Sequence, residues 1–438
     1  MPRLRTKNPR PRSKLSILRK LLGGALAGLW FAMAPIGALG QEDCQTCHGE
    51  AEFAVEDDHG NLRSLFVDPA VLENSVHAGF ECVMCHEQAA EIPHPESMTA
   101  PACGMCHEDA VSEMSQSIHV TSGAGEDAPS CADCHGKHDI RTVSDSLSWV
   151  NPHNQAQTCG RCHANPQLVD RYRIPAKDPI KAYANSVHGR VTMTPGLYPD
   201  LVQKMAAGQL ARAATCSDCH GGHKILPAKD QASTVFYRNI VNTCGNCHAD
   251  IKREFEQSVH GVALVNGARD APVCTDCHGE HTIEVVTAST SPVAPQNVAR
   301  ETCGRCHAST RIAERYGLNA NQVASFQNSY HGLALRSGRL TVANCASCHG
   351  VHNILPSSDP RSMINLNNLA ATCGQCHQGA GAEFARNKVH LMDADAGAHI
   401  VEIIRNIYIA LIVVVIGFMI IHNGLDFYRK SKHVLRHR

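Results

Sequence analysis

The chain has 22 cysteines, and all of them fall in eleven copies of one five-residue pattern, C-x-x-C-H. In order, the copies are Cys44, Cys47 and His48; Cys82, Cys85 and His86; Cys103, Cys106 and His107; Cys131, Cys134 and His135; Cys159, Cys162 and His163; Cys216, Cys219 and His220; Cys244, Cys247 and His248; Cys274, Cys277 and His278; Cys303, Cys306 and His307; Cys345, Cys348 and His349; Cys373, Cys376 and His377. We number them motifs 1 to 11. Residues three apart share one face of a helical turn, so two thiols at this spacing reach the two vinyl groups of one porphyrin. The histidine that follows reaches the iron from the same side. Disulfides or zinc knuckles also explain paired cysteines, but neither accounts for a histidine after every second one. The chemistry expected is eleven covalent c-type haems.

A second set of histidines runs in step with the motifs. Odd-numbered motifs usually read T-C-G-x-C-H and are followed by a phrase of the form S-V-H-G, which supplies His77, His119, His188, His260, His331 and His390. Even-numbered motifs usually read C-x-x-C-H-G-x-H, and their trailing histidines are His94, His138, His223, His281 and His352. Six and five make eleven, one for each motif. We read these as distal axial ligands. A histidine three residues after a proximal one cannot wrap over the same iron, so it must serve a neighbouring haem and draw the haems together. No catalytic residue is assigned.

The elements that must hold this array are short. Internal repetition is the first thing to read in such a chain, and the gap from proximal histidine to S-x-H histidine alternates between long and short. That alternation gives a four-haem unit at residues 41–158, a second at 159–302 and a three-haem unit at 303–398. About 33 residues per haem is too little protein for an ordinary apolar core. The fold expected is mainly α with little regular structure: a haem-packed array of tandem tetrahaem-like units, short helices and long loops, and little β-structure. Asp250 to Val259 and Gly381 to Val389 read as short helices that deliver distal histidines.

Both ends of the chain point to a membrane. Residues 1–40 hold Arg3, Arg5, Lys7, Arg10, Arg12, Lys14, Arg19 and Lys20, no acidic residue, then an apolar run ending in Ala38-Leu39-Gly40. That is the pattern of a secretory signal peptide. Taking those eight basic residues from a formal charge of −1 leaves −9. Haem propionates would add to it, so nucleic acid is excluded and a basic soluble partner is favoured. Ile407 to Ile421 is continuously apolar. Extended back to Ile400 it gives 22 residues, roughly 33 Å of helix, enough to cross a bilayer. A transmembrane helix is expected over 399–424. The basic tail 425–438 would lie on the cytoplasmic side by the positive-inside bias, with the haem region in the periplasm.

The alternating T-C-G-x-C-H, S-V-H-G and C-x-x-C-H-G-x-H phrases resemble those of the multihaem c-type cytochromes with doubled haem motifs, the bis-histidine respiratory electron-transfer proteins. The likeness runs through nearly the whole exported region. It implies low-potential haems packed as a wire on the periplasmic face of the bacterial inner membrane. Electrons would pass between a quinone-linked membrane b-type cytochrome, or another quinone-reactive subunit, and periplasmic c-type cytochromes or reductases. The chain would then be an electron carrier and not an enzyme in its own right. The alternative is a multihaem reductase for nitrite, hydroxylamine or tetrathionate, with one open haem in the irregular first unit. There Cys44 lacks the T-C-G context and His94 lies eight residues after His86 instead of three. Six histidines remain. His433 and His437 belong to the tail, and His59 and His153 read as surface or propionate-bonding residues. His399 and His422 bracket the apolar helix and are candidates for a b-haem or quinone shared with a partner.

Overall fold

Cysteine motifs every few tens of residues, with prolines and glycines between them, leave little room for long elements. The computed structural model describes residues 41–56, 60–95, 98–175, 177–194, 203, 212–386, 388–390 and 396–436. The signal-peptide segment 1–40, His59 and His437 lie outside the described residues. Ahead of the C-terminal helix the described helices are at most nine residues long, as in Gln155–His163 and Ala249–Gln257. The strands described form one two-stranded antiparallel hairpin, Ala54–Glu56 with Leu62–Ser64, in which Val55 faces Arg63. The fold is mainly helix and loop, with one long apolar helix at the end.

Apolar packing within the protein is sparse. One cluster joins Ile240, Val241, Leu264, Ala271 and Val273. Another joins Ala299, Phe326 and Leu335. By contrast Phe80, Met84 and Met105 stand at least half exposed beside the early motifs. Much of the order instead comes from one polar clasp, used four times ahead of motifs 5, 7, 9 and 11. In the clasp ahead of motif 7, Asn239 Nδ2 donates to the carbonyls of Gln231 (2.9 Å) and Ser233 (2.8 Å). Ser233 Oγ donates to Leu226 O (3.1 Å), and Thr243 Oγ1 donates to Thr234 O (2.6 Å) just before Cys244. Asn154, Asn297 and Asn368 each bind two carbonyls in the same way. Thr158, Thr302 and Thr372 repeat the threonine bond. The threonine of T-C-G thus ties an odd motif to the loop before it.

Two helices differ from the sequence reading. The helix read over Asp250 to Val259 is Ala249–Gln257, and a second one, Val259–Val265, carries His260. Ser258 separates them because its hydroxyl donates back to Phe255 O (2.6 Å) and accepts from Gly261 N (3.1 Å), capping the new helix. Over Gly381 to Val389 only Ala382–Ala385 is helical. The C-terminal helix is Ala396–Arg436, 41 residues, and so continues past 424 through the basic tail. Within its stretch His399–Lys432 an 18-residue segment has a mean hydropathy of 2.5 and none of it is buried against protein, so the helix is long and apolar enough to cross a membrane.

Candidate haem-binding array

The even motifs are preformed helical turns. Cys131–His135, Cys216–His220, Cys274–His278 and Cys345–His349 are each single five-residue helices. A residue at the third helical position closes the start: Asp133 Oδ2 accepts from Ser130 N (2.7 Å), and Asp218 and Asp276 do the same for Thr215 N and Val273 N. The glycine after each, such as Gly221 at φ +87°, takes the left-handed conformation that turns the chain toward the next histidine. None of the 22 cysteines is paired in a disulfide and none is fully buried.

The S-x-H phrases are held by a cross-chain stitch. Ser75, Ser117, Ser186 and Ser258 are buried. The residue after each donates its backbone N–H to an isoleucine carbonyl two residues past a G-x-H histidine. The bonds are Val76 to Ile140 (2.8 Å), Ile118 to Ile225 (2.7 Å), Val187 to Ile283 (2.8 Å) and Val259 to Ile354 (2.8 Å). Each stitch fixes two distal histidines at once, for instance His77 with His138. Where a glycine follows the histidine, at Gly189, Gly261 and Gly332, the chain passes too close for a side chain. A Cβ on Gly261 would overlap Phe255 O and lie 2.7 Å from Glu256 Cα.

This scaffold brings the histidines together in eleven pairs, each a motif histidine with one from the second set. His48 faces His94 with ring centres 6.2 Å apart, His86 faces His138 (6.1 Å), His107 faces His77 (6.0 Å) and His135 faces His223 (6.0 Å). His163 faces His119 (6.1 Å), His220 faces His281 (5.9 Å), His248 faces His188 (6.3 Å) and His278 faces His352 (6.1 Å). His307 faces His260 (6.1 Å), His349 faces His390 (6.2 Å) and His377 faces His331 (6.0 Å). No histidine of either set is left over or used twice.

The pairing follows a rule that the sequence did not reveal. An S-x-H histidine reaches forward to the second motif after its own, and a G-x-H histidine reaches back to the second motif before its own. His94 and His390 depart from it, each turning back by a single motif.

The spacing fits a haem iron. Two imidazoles that bond one metal ion from opposite sides, at about 2 Å per metal–nitrogen bond, have ring centres roughly 6 Å apart. Among the described residues no group of three or more His, Cys, Asp or Glu gathers around a common point. A porphyrin would supply the four remaining donors to a metal held between two such rings. Burial lowers His260 to about 4 and also lowers His119, His188 and His220, favouring the neutral imidazole that bonds metal. Several ring nitrogens on the far side are oriented: His48 Nδ1 donates to Leu65 O (2.8 Å), and His223 Nδ1 lies 3.5 Å from Glu113.

Neighbouring motifs touch through their sulfurs. The first cysteines lie side by side as Cys44 with Cys82, Cys103 with Cys131, Cys159 with Cys216, Cys244 with Cys274 and Cys303 with Cys345, each pair close enough to shift a thiol's titration. The second cysteine of an even motif lies beside the next odd one. Burial and the adjacent Cys159 and Cys162 raise Cys134 to about 11, and Cys219, Cys277 and Cys348 stand likewise beside motifs 7, 9 and 11. These contacts link motif 1 to 2 and run unbroken from motif 3 to motif 11.

Among the described residues, His153, His399 and His422 are not paired with this array. His153 Nδ1 donates to Thr192 O (2.7 Å) at the wall of a cavity of about 520 Å³ that Arg212 and Asn151 also line. His422 stacks on Phe418 within the long helix (6.1 Å), and His399 lies near its start.

Residues 127–289 match the family model of outer membrane cytochrome MtrC/MtrF-like proteins, domains II/IV. That match supports a multihaem c-type cytochrome. It covers the middle of the array, motifs 4 to 8, and supports haem c as the cofactor and electron transfer as the activity. No curated protein and no solved structure matches the chain.

Proposed function

We propose that the chain carries eleven covalent c-haems, each ligated by one of the histidine pairs, and serves as a one-dimensional electron conduit. The observation that carries this reading is the one-to-one matching of eleven motif histidines with eleven others at 5.9–6.3 Å. Two strong ligands on every iron suit electron transfer rather than substrate chemistry at the metal. The cysteines would form the thioether links, and their contacts would set neighbouring haems edge to edge in the order of the motifs.

The two ends of such a wire differ. Motif 11 is followed closely by the long apolar helix, so its haem would lie nearest the membrane. An α-helical span with a basic tail favours the inner membrane, with the haems in the periplasm and a quinone-reactive subunit, such as a b-type cytochrome, at this end. At the other end, residues 41–158 carry 21 acidic against three basic residues, net −18, whereas residues 159–398 carry 18 against 23, net +5. A field so concentrated around the first four motifs suits docking of a basic periplasmic cytochrome there.

The test is a pyridine haemochrome assay for haem per chain, with low-temperature electron paramagnetic resonance of the oxidised protein. Eleven haems, all low-spin, are expected. A stoichiometric high-spin signal in the unmodified protein would overturn the bis-histidine conduit.

A further inference from the structure

The eleven distal histidines are not held equally. Eight of them, His77, His138 and their six equivalents, sit on the four backbone stitches. His331 lies in a helix capped by Ser329, whose hydroxyl accepts from Gly332 N (3.3 Å). His390 is outside any helix, but its Nδ1 donates to Gln322 O (3.1 Å), 68 residues away. His94 differs from all of these. It follows Ile92 and Pro93 in an exposed loop, beyond the short turn Glu87–Ala89, and Ile92 is 66% exposed. Its Nδ1 donates to the carbonyl of its own neighbour Pro95 at a long 3.3 Å, a bond that ties the ring to nothing outside the loop.

The ring opposite is gripped firmly. His48 ends the helix Gln41–His48, donates to Leu65 O (2.8 Å) and meets Phe53 edge-on at 5.2 Å. The first site therefore has one fixed and one weakly held axial residue. Its sulfurs lie beside those of motif 2, apart from the series that runs from motif 3 to motif 11. A ligand held by few other bonds dissociates more readily than one whose backbone is bonded into the fold, because its release breaks few other interactions.

Resting on the haem reading above, we infer that His94 is an exchangeable ligand. The first haem, when ferrous, then takes a small neutral molecule of the carbon monoxide or nitric oxide kind in its place. The exchange breaks the bond to His94 and forms one to the incoming ligand, with no net transfer of electrons or protons. The far end of the wire then becomes a port at which a small molecule meets electrons delivered by ten other haems.

The test uses the full detergent-solubilised chain, reduced with dithionite and titrated with carbon monoxide while the Soret band is followed. One carbon monoxide per chain is expected, at a rate that stops rising at high concentration because release of His94 limits it. In His94→Ala the same single site should fill at a rate proportional to concentration. Wild type that binds none, while His94→Ala binds one, would make His94 a fixed ligand and overturn the inference. Two bound in His94→Ala would place the wild-type site elsewhere and overturn it too. Oxidised His94→Ala with no high-spin iron would instead refute His94 as a ligand at all, a failure of the underlying haem reading. If His94→Ala does not mature, the wild-type titration alone decides.

Discussion

Replacing Gly261 with alanine tests whether the S-V-H-G phrase exists to deliver a histidine. A Cβ there overlaps Phe255 O and lies 2.7 Å from Glu256 Cα and 2.9 Å from Phe255 C. These atoms cannot yield easily. Phe255 O accepts bonds from Ser258 N (2.9 Å) and Ser258 Oγ (2.6 Å), and Val259 N is bonded to Ile354 O (2.8 Å). Overpacking costs about 1–3 kcal/mol where neighbours can shift, and backbone on both sides puts this site at the upper end. About 3 kcal/mol is on the order of a 100-fold shift in an equilibrium. The helix Val259–Val265 is the part able to move, and moving it draws His260 away from His307. The expected result is one high-spin haem per chain with the rest unchanged, or else a lower denaturant midpoint. A Cβ on Gly222 would meet nothing within 4 Å, so Gly222→Ala should be silent. Unchanged low-spin signals and an unchanged midpoint in Gly261→Ala would refute the close-approach argument.

Other outcomes follow from the same geometry. His77→Ala should leave one haem high-spin, and the double variant His77→Ala/His107→Ala should perturb that same haem without affecting a second, read by counting spins. Ser117→Ala removes a buried hydroxyl that donates to Ile225 O and accepts from His119 N, and should lower stability by about 1 kcal/mol in denaturant titration. Asn239→Ala unmakes two bonds inside the clasp and should cost about 1–3 kcal/mol by the same measurement. Electron exchange with a basic cytochrome should slow as salt rises, and replacing acidic residues within 41–158 with their amides should weaken that salt dependence, measured by stopped flow.

The parts of this protein that were legible in its sequence are local. C-x-x-C-H is a covalent pattern five residues long, and the long helix is written in continuous apolar residues such as Ile407 to Ile421. The two phrases that supply distal histidines were also visible, because each recurs beside its own motif. Their destinations were not. His223 meets His135 and His260 meets His307, placements fixed by stitches such as Ile118 to Ile225 and Val259 to Ile354 that join residues far apart in the chain. Backbone bonds leave no mark on residue type. The Ser–Asn–Thr clasp did leave a mark, in the repeated asparagine four or five residues before T-C-G, but it was overshadowed by the cysteines. Ser258 likewise splits what reads as one helix, because periodicity carries no sign of a cap inside an amphipathic run.

The irregular first unit has a topological cause. Under the pairing rule each odd motif draws its second histidine from two motifs upstream, and each even motif from two motifs downstream. Among these eleven motifs two then have no partner motif two steps away: motif 1 and motif 10. Two histidines equally lack a destination, the one after motif 2 and the one after motif 11. These are His94 and His390, and each turns back by one motif to face His48 and His349. A turn back to the adjacent motif needs a different reach from a step of two. That accounts for His94 standing eight residues beyond its motif histidine where its equivalents stand three. The departure that marked this unit as the place for an open iron is therefore how a repeating array closes its own end.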